Sequence, residues 1–500
     1  MGLERNLPNL KEDKVRIHFA QNAALTADWC NVARVTIDDF PDLVLLEIFD
    51  ICLYCAYERE EWHTLVHVCR RWRNIIFGSP HRLDLRLFCT AGTPVKKTLD
   101  IWPLLPIDVV GVQLENCQWG ADNIIAALEH NDRIYQLTLC TLISSISQWE
   151  IVLAPMLQPF PELTSLWLQL IYESAPNLPA SFLGGYAPRL QKLELRSISF
   201  PELPRLLLST THLVSLCLER IPPSGYILPK TMVTSLSLLT RLEKLKINFM
   251  SPQSRPDRGS LRPPLIRTLL PVLTTLEFQG VSEYLEDLVT RIDTPLLDTL
   301  RITFSHQLIF DTPQVTQFIG RTPKFKAYAG VEAQIAFDDW RVKVKLPCWS
   351  LSRTLDLAIL CRQSDWQLSS LAQVCNSSLP HSLIPPVEYL YIKREFPELH
   401  WQDDIENSQW LEVLQPFTGV KELHLSQEFV PHIALVLKEL VEEGTTEVLL
   451  PALQILFLEE PLPSGSVQNI IEQFVASRQL ANHPIALSIW NSTGYMVRSA

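Results

Sequence analysis

The stretch Leu190–Arg196 reads LQKLELR, three leucines separated first by two residues and then by one. From Leu193 onward the alternation has a period of two. Leu193 and Leu195 therefore share one face of a short strand, while Lys192, Glu194 and Arg196 share the other. A strand this short cannot bury its own leucines. The same L-x-x-L-x-L form occurs upstream at 134–139 (IYQLTL) and 163–168 (LTSLWL). It recurs downstream at 213–218 (LVSLCL), 242–247 (LEKLKI), 273–278 (LTTLEF) and 297–302 (LDTLRI). After a gap it returns at 387–392 (VEYLYI), 420–425 (VKELHL) and 453–458 (LQILFL). Stacking such strands side by side turns isolated leucine faces into one continuous core.

The units start roughly 23 to 33 residues apart, overlapping the leucine-rich-repeat range of about 20–29. Segments between them, such as PELPRLLLSTTH and VSEYLEDLVTRI, read as helical or Pro-rich connections. The pattern predicts an α/β fold: an irregular leucine-rich-repeat solenoid with a parallel sheet over residues 83–500, opening with the alternating HRLDLRLFC. Where a regular repeat carries Asn or Cys, nine positions in, this chain has Ile198, Ile221, Met250 and Val281, so the repeats are degenerate. The interval 305–386 contains strand-like WRVKVKL but no clean repeat, and reads as an irregular pair of repeats or an insertion. SPQSRPDRGSLRPP at 251–264 reads as an exposed basic loop.

Residues 36–82 follow a different period. In DDFPDLVLLEIFDICLYC an acidic, Pro-containing start precedes Leu45, Ile48, Phe49 and Cys52, the spacing of one helix face. REEWHTLVHVCRRWRNIIF repeats it with Trp62, Leu65, Val66, Cys69, Trp72 and Ile76, and Gly78-Ser79-Pro80 ends it. About forty residues of helix form a small unit that needs a partner or the following domain to cover it. Residues 1–35 are an N-terminal extension, helical or disordered on this reading.

Cys52, Cys55, His63 and His67 sketch a zinc site. The outline fails on spacing, because only Ala56–Trp62 separates the pairs where a zinc finger has about twelve residues. It also fails on placement. Cys52 and Cys55 fall on or beside an apolar helix face, and His63 and His67 share a flank with Arg70, a poor neighbour for a dication. HTLVH has Thr64 where a metalloprotease carries Glu. No metal ligand is assigned.

The same segment resembles the F-box. That family's pattern is an L-P start, a helix of the form D-x-L-L-x-x-I-F and a later V-C-x-x-W-R. This chain supplies Phe40-Pro41, then Leu43, Leu45, Leu46, Ile48 and Phe49, then Val68, Cys69, Trp72 and Arg73, with Phe40 in place of the usual Leu. The match covers about residues 36–82. WHTLVHVCRRWRNIIFGSPHRLDLRLFCT with KKTLDIWPLLPI looks like the large fungal family that joins an F-box to degenerate leucine-rich repeats. The resemblance implies a non-catalytic subunit of a cullin-RING ubiquitin ligase. Phe40, Pro41, Leu43, Leu45, Leu46, Ile48, Phe49, Val68, Cys69 and Trp72 would bind a Skp-type adaptor, and the repeats would hold a protein substrate. Trp72 is equally suited to anchoring the helices internally. The alternatives are a non-degradative scaffold that binds the adaptor, and a small zinc-binding regulator.

Composition bounds the rest. Net charge is −12, which argues against a nucleic-acid partner. With 16 glycines in 500 residues there is little material for phosphate loops, and no Walker A, GxGxxG or G-x-S-x-G motif is present. No cofactor is expected. The charged N-terminus and the lack of a long apolar run predict a cytoplasmic or nuclear protein without a membrane partner, its 11 cysteines being thiols. Asp338-Asp339 and Asp403-Asp404 read as surface charge. On the outward strand positions, Trp167, Arg196, Lys246, Arg301, Tyr389 and Tyr391 are the candidate substrate contacts, since aromatics and Arg are enriched at binding hot spots.

Overall fold

The computed structural model describes residues 37–500 apart from 56–60, 79–84, 113–119, 142–145, 171–176, 251–265, 306–309, 311, 327–330, 349–352, 362–363, 378, 381–382, 396–405, 446–448, 461–464 and 491–500. The predicted extension 1–35, the basic loop 251–264 and Asp403-Asp404 thus lie outside the described residues, 36 and 265 with them. The chain divides into two compact units, Met1–Asp84 and Leu85–Ala500. No helix among the described residues is long and apolar enough to cross a membrane.

The described residues of the first unit are helical: α1 (Asp42–Cys55), α2 (Glu61–Val68) and α3 (Arg70–Gly78). The Pro41 carbonyl accepts the amides of Val44 at 2.9 Å and Leu45 at 3.1 Å, and Asp42 puts a negative charge in the first turn, where the helix dipole favours it. Arg71 of α3 clamps this start, donating to the Phe40 carbonyl at 2.6 Å and to Asp42 Oδ1 at 2.8 Å. Leu45, Leu46 and Phe49 of α1, Val66 of α2 and Ile75 and Ile76 of α3 are buried. The single second helix that the periodicity predicts is instead two. Cys69 interrupts it, and its sulfur accepts the Trp72 amide at 3.4 Å, the hydrogen bond of an N-cap residue.

Among the described residues the second unit is built on a sixteen-stranded sheet. Its first half comprises β1 (Arg86–Phe88), β2 (Ile107–Val112), β3 (Ile134–Thr141), β4 (Ser165–Leu170), β5 (Lys192–Arg196), β6 (Ser215–Ile221), β7 (Lys244–Phe249), β9 (Thr275–Gly280) and β11 (Thr299–Ser305). β8 (Thr268–Leu269) and β10 (Ile292–Asp293) form a separate small pair. Neighbours from β1 to β11 run parallel, and the leucine pattern is what holds them in register. Leu137, Leu166, Leu193, Leu216, Leu245, Leu276 and Leu300 face one another strand by strand. These are buried, as are Leu139, Leu168, Leu195, Leu218, Ile247, Phe278 and Ile302 two positions on. A one-residue slip would turn both rows to the opposite face. In place of a polar ladder at the turn, Ile198, Ile221 and Val281 are buried, whereas Met250 is 42% exposed.

The irregular interval resolves into a local reversal. β12 (Glu332–Phe337), β13 (Arg341–Cys348) and β14 (Arg353–Leu360) enter the sheet in the spatial order β11-β14-β13-β12. β13 is antiparallel to both neighbours, while β14 is parallel to β11. The parallel sheet predicted from the repeats is therefore mostly, not wholly, parallel. The cause lies at Asp338, whose Oδ1 accepts the amides of Trp340 and Arg341, each at 2.8 Å. That side-chain turn closes a tight hairpin, which only antiparallel strands allow. Asp338 is 6% exposed, so it is a buried turn-former and not the surface charge expected from the sequence. The sheet then continues in parallel through β15 (Tyr389–Arg394), β16 (Glu422–Leu425), β17 (Ile455–Glu459) and β18 (Ala486–Trp490).

Candidate functional site

In the helical unit, the residues grouped by sequence as adaptor contacts separate into two sets. Leu45, Leu46 and Phe49 are buried, and the Phe49 ring lies 4.6 Å from that of Trp72, which is half-buried. Trp72 is thus an internal anchor, and Cys69 is a helix cap. Outward stand Phe40, Pro41, Leu43 at 72% exposure and Val68 at 58%, with Ile48 half-buried. Val44 and Ile51, exposed at 40% and 63%, join them and were not singled out by the sequence. α1 is therefore apolar on two sides: a core stripe through Leu45 and Phe49, and an outer stripe through Val44 and Ile51. Of the zinc outline, Cys52, Cys55 and His63 have side chains outside the described residues, and His67 is exposed.

On the sheet, the outward positions form zones. Arg196, Lys246 and Arg301 are brought into one ionic ladder across β5 to β11. Glu219 pairs with Arg196 and, at 2.5 Å, with Lys246; Glu277 stands 3.6 Å from Lys246 and 2.7 Å from Arg301. Burial works against the charge of Glu219, but the hydrogen bond from Lys246 and the charges of Lys246 and Arg196 hold its carboxyl below the usual range. Glu194, Cys217 and Glu219 group closely enough to ligate a metal. The resident cations already occupy Glu219, however, and burial, reinforced by Glu194 and Glu219, pushes the Cys217 thiol up to about 12, so it stays protonated. Trp167 lies beside Glu194 at the end of this ladder.

Farther along, Tyr391, His424 and Phe457 face one another on β15, β16 and β17. His424 stacks on Tyr391 at 4.3 Å and on Phe457 at 4.2 Å, and Trp490 closes edge-on at 5.6 Å, its indole N–H donating to the Leu425 carbonyl at 3.1 Å. His424 is 1% exposed with no hydrogen bond to either ring nitrogen among the described residues, and burial lowers its pKa to about 4. Tyr389 stands beside this row in register with Glu332 and Glu422. Between the two zones, β13 and β15 carry Lys343, Lys345 and Lys393 on the same face.

Trp490 and β18 escaped the sequence reading because the register puts Pro484 where Leu453 opens the preceding unit, which breaks the L-x-x-L-x-L form. The alternation of Ile485, Leu487 and Ile489 was the available signal. Compared with known proteins, the chain matches no family model and no curated protein.

Proposed function

We propose that this chain recruits a protein to a cullin-RING ubiquitin ligase. Its helical unit acts as an F-box that docks on a Skp-type adaptor, and its leucine-rich-repeat sheet face holds the protein to be modified. The chain performs no chemistry; it supplies proximity between a substrate lysine and the charged conjugating enzyme. The observation that carries the reading is the outer apolar stripe of α1. Helices apolar on two sides are normally covered on both, yet Leu43, Val44 and Ile51 are exposed, as is Val68 on α2.

The test is capture of a Skp-type adaptor by the purified full chain. Leu43→Asp with Val68→Asp should abolish capture and leave the thermal unfolding profile intact, because both side chains already face water. Leu46→Asp is a poor probe, since it places a charge in the core and should melt the unit. An adaptor that never binds, or that binds the double variant as well as the parent, removes the ligase reading. Ubiquitylated partners that accumulate on proteasome inhibition distinguish a degradative role from a scaffold.

A further inference from the structure

Two of the three lysines between the two zones differ from every cation of the ionic ladder. Arg196, Lys246 and Arg301 each touch a carboxylate. Lys343 is held by Glu395, which also serves Arg341. Lys345 and Lys393, by contrast, make no hydrogen bond or ion pair to any described residue, although both are half-buried. The strand reversal creates this arrangement. β13 is the inserted antiparallel strand, and its alternation of Arg341, Lys343 and Lys345 puts three cations on the open face. Ala336 of β12 pairs with Lys343 on one side and Lys393 on the other, so a methyl group floors the space between two lysine stems.

Glu332, Asp356 and Glu395 supply negative charge nearby, yet none of them forms an ion pair with Lys345 or Lys393. Glu332 accepts from Gln334 at 2.6 Å. Burial raises the Asp356 carboxyl even though Lys343, Lys345, Arg301 and Arg341 surround it. Lys393 is held below the ordinary lysine range by burial and by the charges of Lys343 and Lys345, which outweigh the opposing pull of Glu332 and Glu395. Half-buried ammonium groups that repel one another are relieved when an anion enters. The chain as a whole is at −12, so no broad positive field draws acidic molecules in, and an anion must be held by local contacts. The Tyr391 ring stands on the strand of Lys393, two residues away, and opens the aromatic row. A ligand that carries an anion and an apolar group a few residues apart finds both on this face.

We propose that Lys343, Lys345 and Lys393, gathered around Ala336, bind an acidic side chain, carboxylate or phosphate, of an extended segment of a partner protein, with Tyr391 and the rings beyond it taking a neighbouring apolar residue. This rests on the sheet face being the surface that holds a partner; the adaptor plays no part in it. The test is fluorescence anisotropy on the full chain without adaptor. The probes are labelled heptapeptides Gly-Ser-X-Ala-Phe-Ser-Gly, where X is Glu, phosphoserine or Gln, with inorganic phosphate as competitor.

The acidic peptides should bind at least tenfold tighter than the Gln peptide, and Lys345→Gln with Lys393→Gln should erase that preference. Lys244→Gln, on β7, should leave it unchanged. In the unmodified chain, the better acidic peptide should protect Lys345 and Lys393 from acetylation read by mass spectrometry, a measurement that needs no variant to fold. The ratio between the Glu and phosphoserine peptides identifies which acid the site takes. Equal binding of acidic and neutral peptides, or acetylation that the peptides do not alter, overturns the site. Inorganic phosphate that protects the same lysines as well as the peptide does overturns the peptide-borne ligand. Adaptor capture is scored separately on the same preparations. Anion selectivity without capture sinks the ligase reading alone, and capture without selectivity sinks this site alone.

Discussion

Replacing Glu219 with glutamine removes the hub of the ionic ladder while keeping its shape. Glu219 is 9% exposed, and its partners Arg196 and Lys246 have side chains 33% and 28% exposed. A bare pair at about 4 Å in an effective dielectric of about 20 is worth about 4 kcal/mol. Solvent reaches both cations, so each pair is discounted to about 1 kcal/mol. After substitution Arg196 retains Glu194 at 3.9 Å and Lys246 retains Glu277 at 3.6 Å, which softens the loss. The sum is a destabilisation of about 1–3 kcal/mol near neutral pH.

The pH dependence has a definite sign. The folded carboxyl titrates below its ordinary value of 4.5, so its contribution is complete above that pH and disappears as the pH falls through the folded value. Urea unfolding followed by circular dichroism at pH 7 and near pH 3 should show the gap between parent and Glu219→Gln narrowing at the lower pH. A variant as stable as the parent at pH 7, or a gap unchanged by acid, would refute the hub.

Three further outcomes follow from local geometry. A Cβ on Gly419 would meet the Pro385 carbonyl oxygen at 1.9 Å, so Gly419→Ala should cost about 2 kcal/mol or more, read as a lowered Tm. His424 is buried neutral, so stability tied to it is complete above pH 6.5 and falls as the pH drops towards about 4; His424→Phe should keep the ring stack and flatten that part of the stability profile. Cys69 caps α3 through sulfur, so Cys69→Ser should preserve the stability of the helical unit, whereas Cys69→Val should lower it by about 1 kcal/mol, measured by thermal melts.

The strands were the most legible part of this chain. A period of two, repeated at Leu193, Leu216 and Leu245, names both the buried face and the partner positions. Properties that depend on which strand becomes a neighbour were not legible. Outward alternation places Glu219 after Leu218, but only the registers of β5 and β7 supply it with Arg196 and Lys246. Lys393 and the RVKVK run look like ordinary solvated cations until the reversal at Asp338 brings them to one face. In the helical unit, periodicity alone could not separate Leu46, which faces inward, from Leu43, which does not. Both are leucines in an unbroken apolar run, and the division depends on where α3 packs.

The inserted reversal also bears on the order of assembly. In a repeat array each strand finds its template in the one just made, so structure spreads outward from any starting point. Here that spreading halts at β11, because its neighbour is β14, with Thr299 paired to Thr354 across the intervening β12 and β13. A chain emerging from the ribosome must leave the edge of β11 open until β14 has been synthesised, and the loop to be closed raises the entropic barrier at this one step. Destabilising the Asp338 turn should therefore slow refolding of the C-terminal strands while the N-terminal strands form at their usual rate. The seam would divide one continuous sheet into two kinetic blocks.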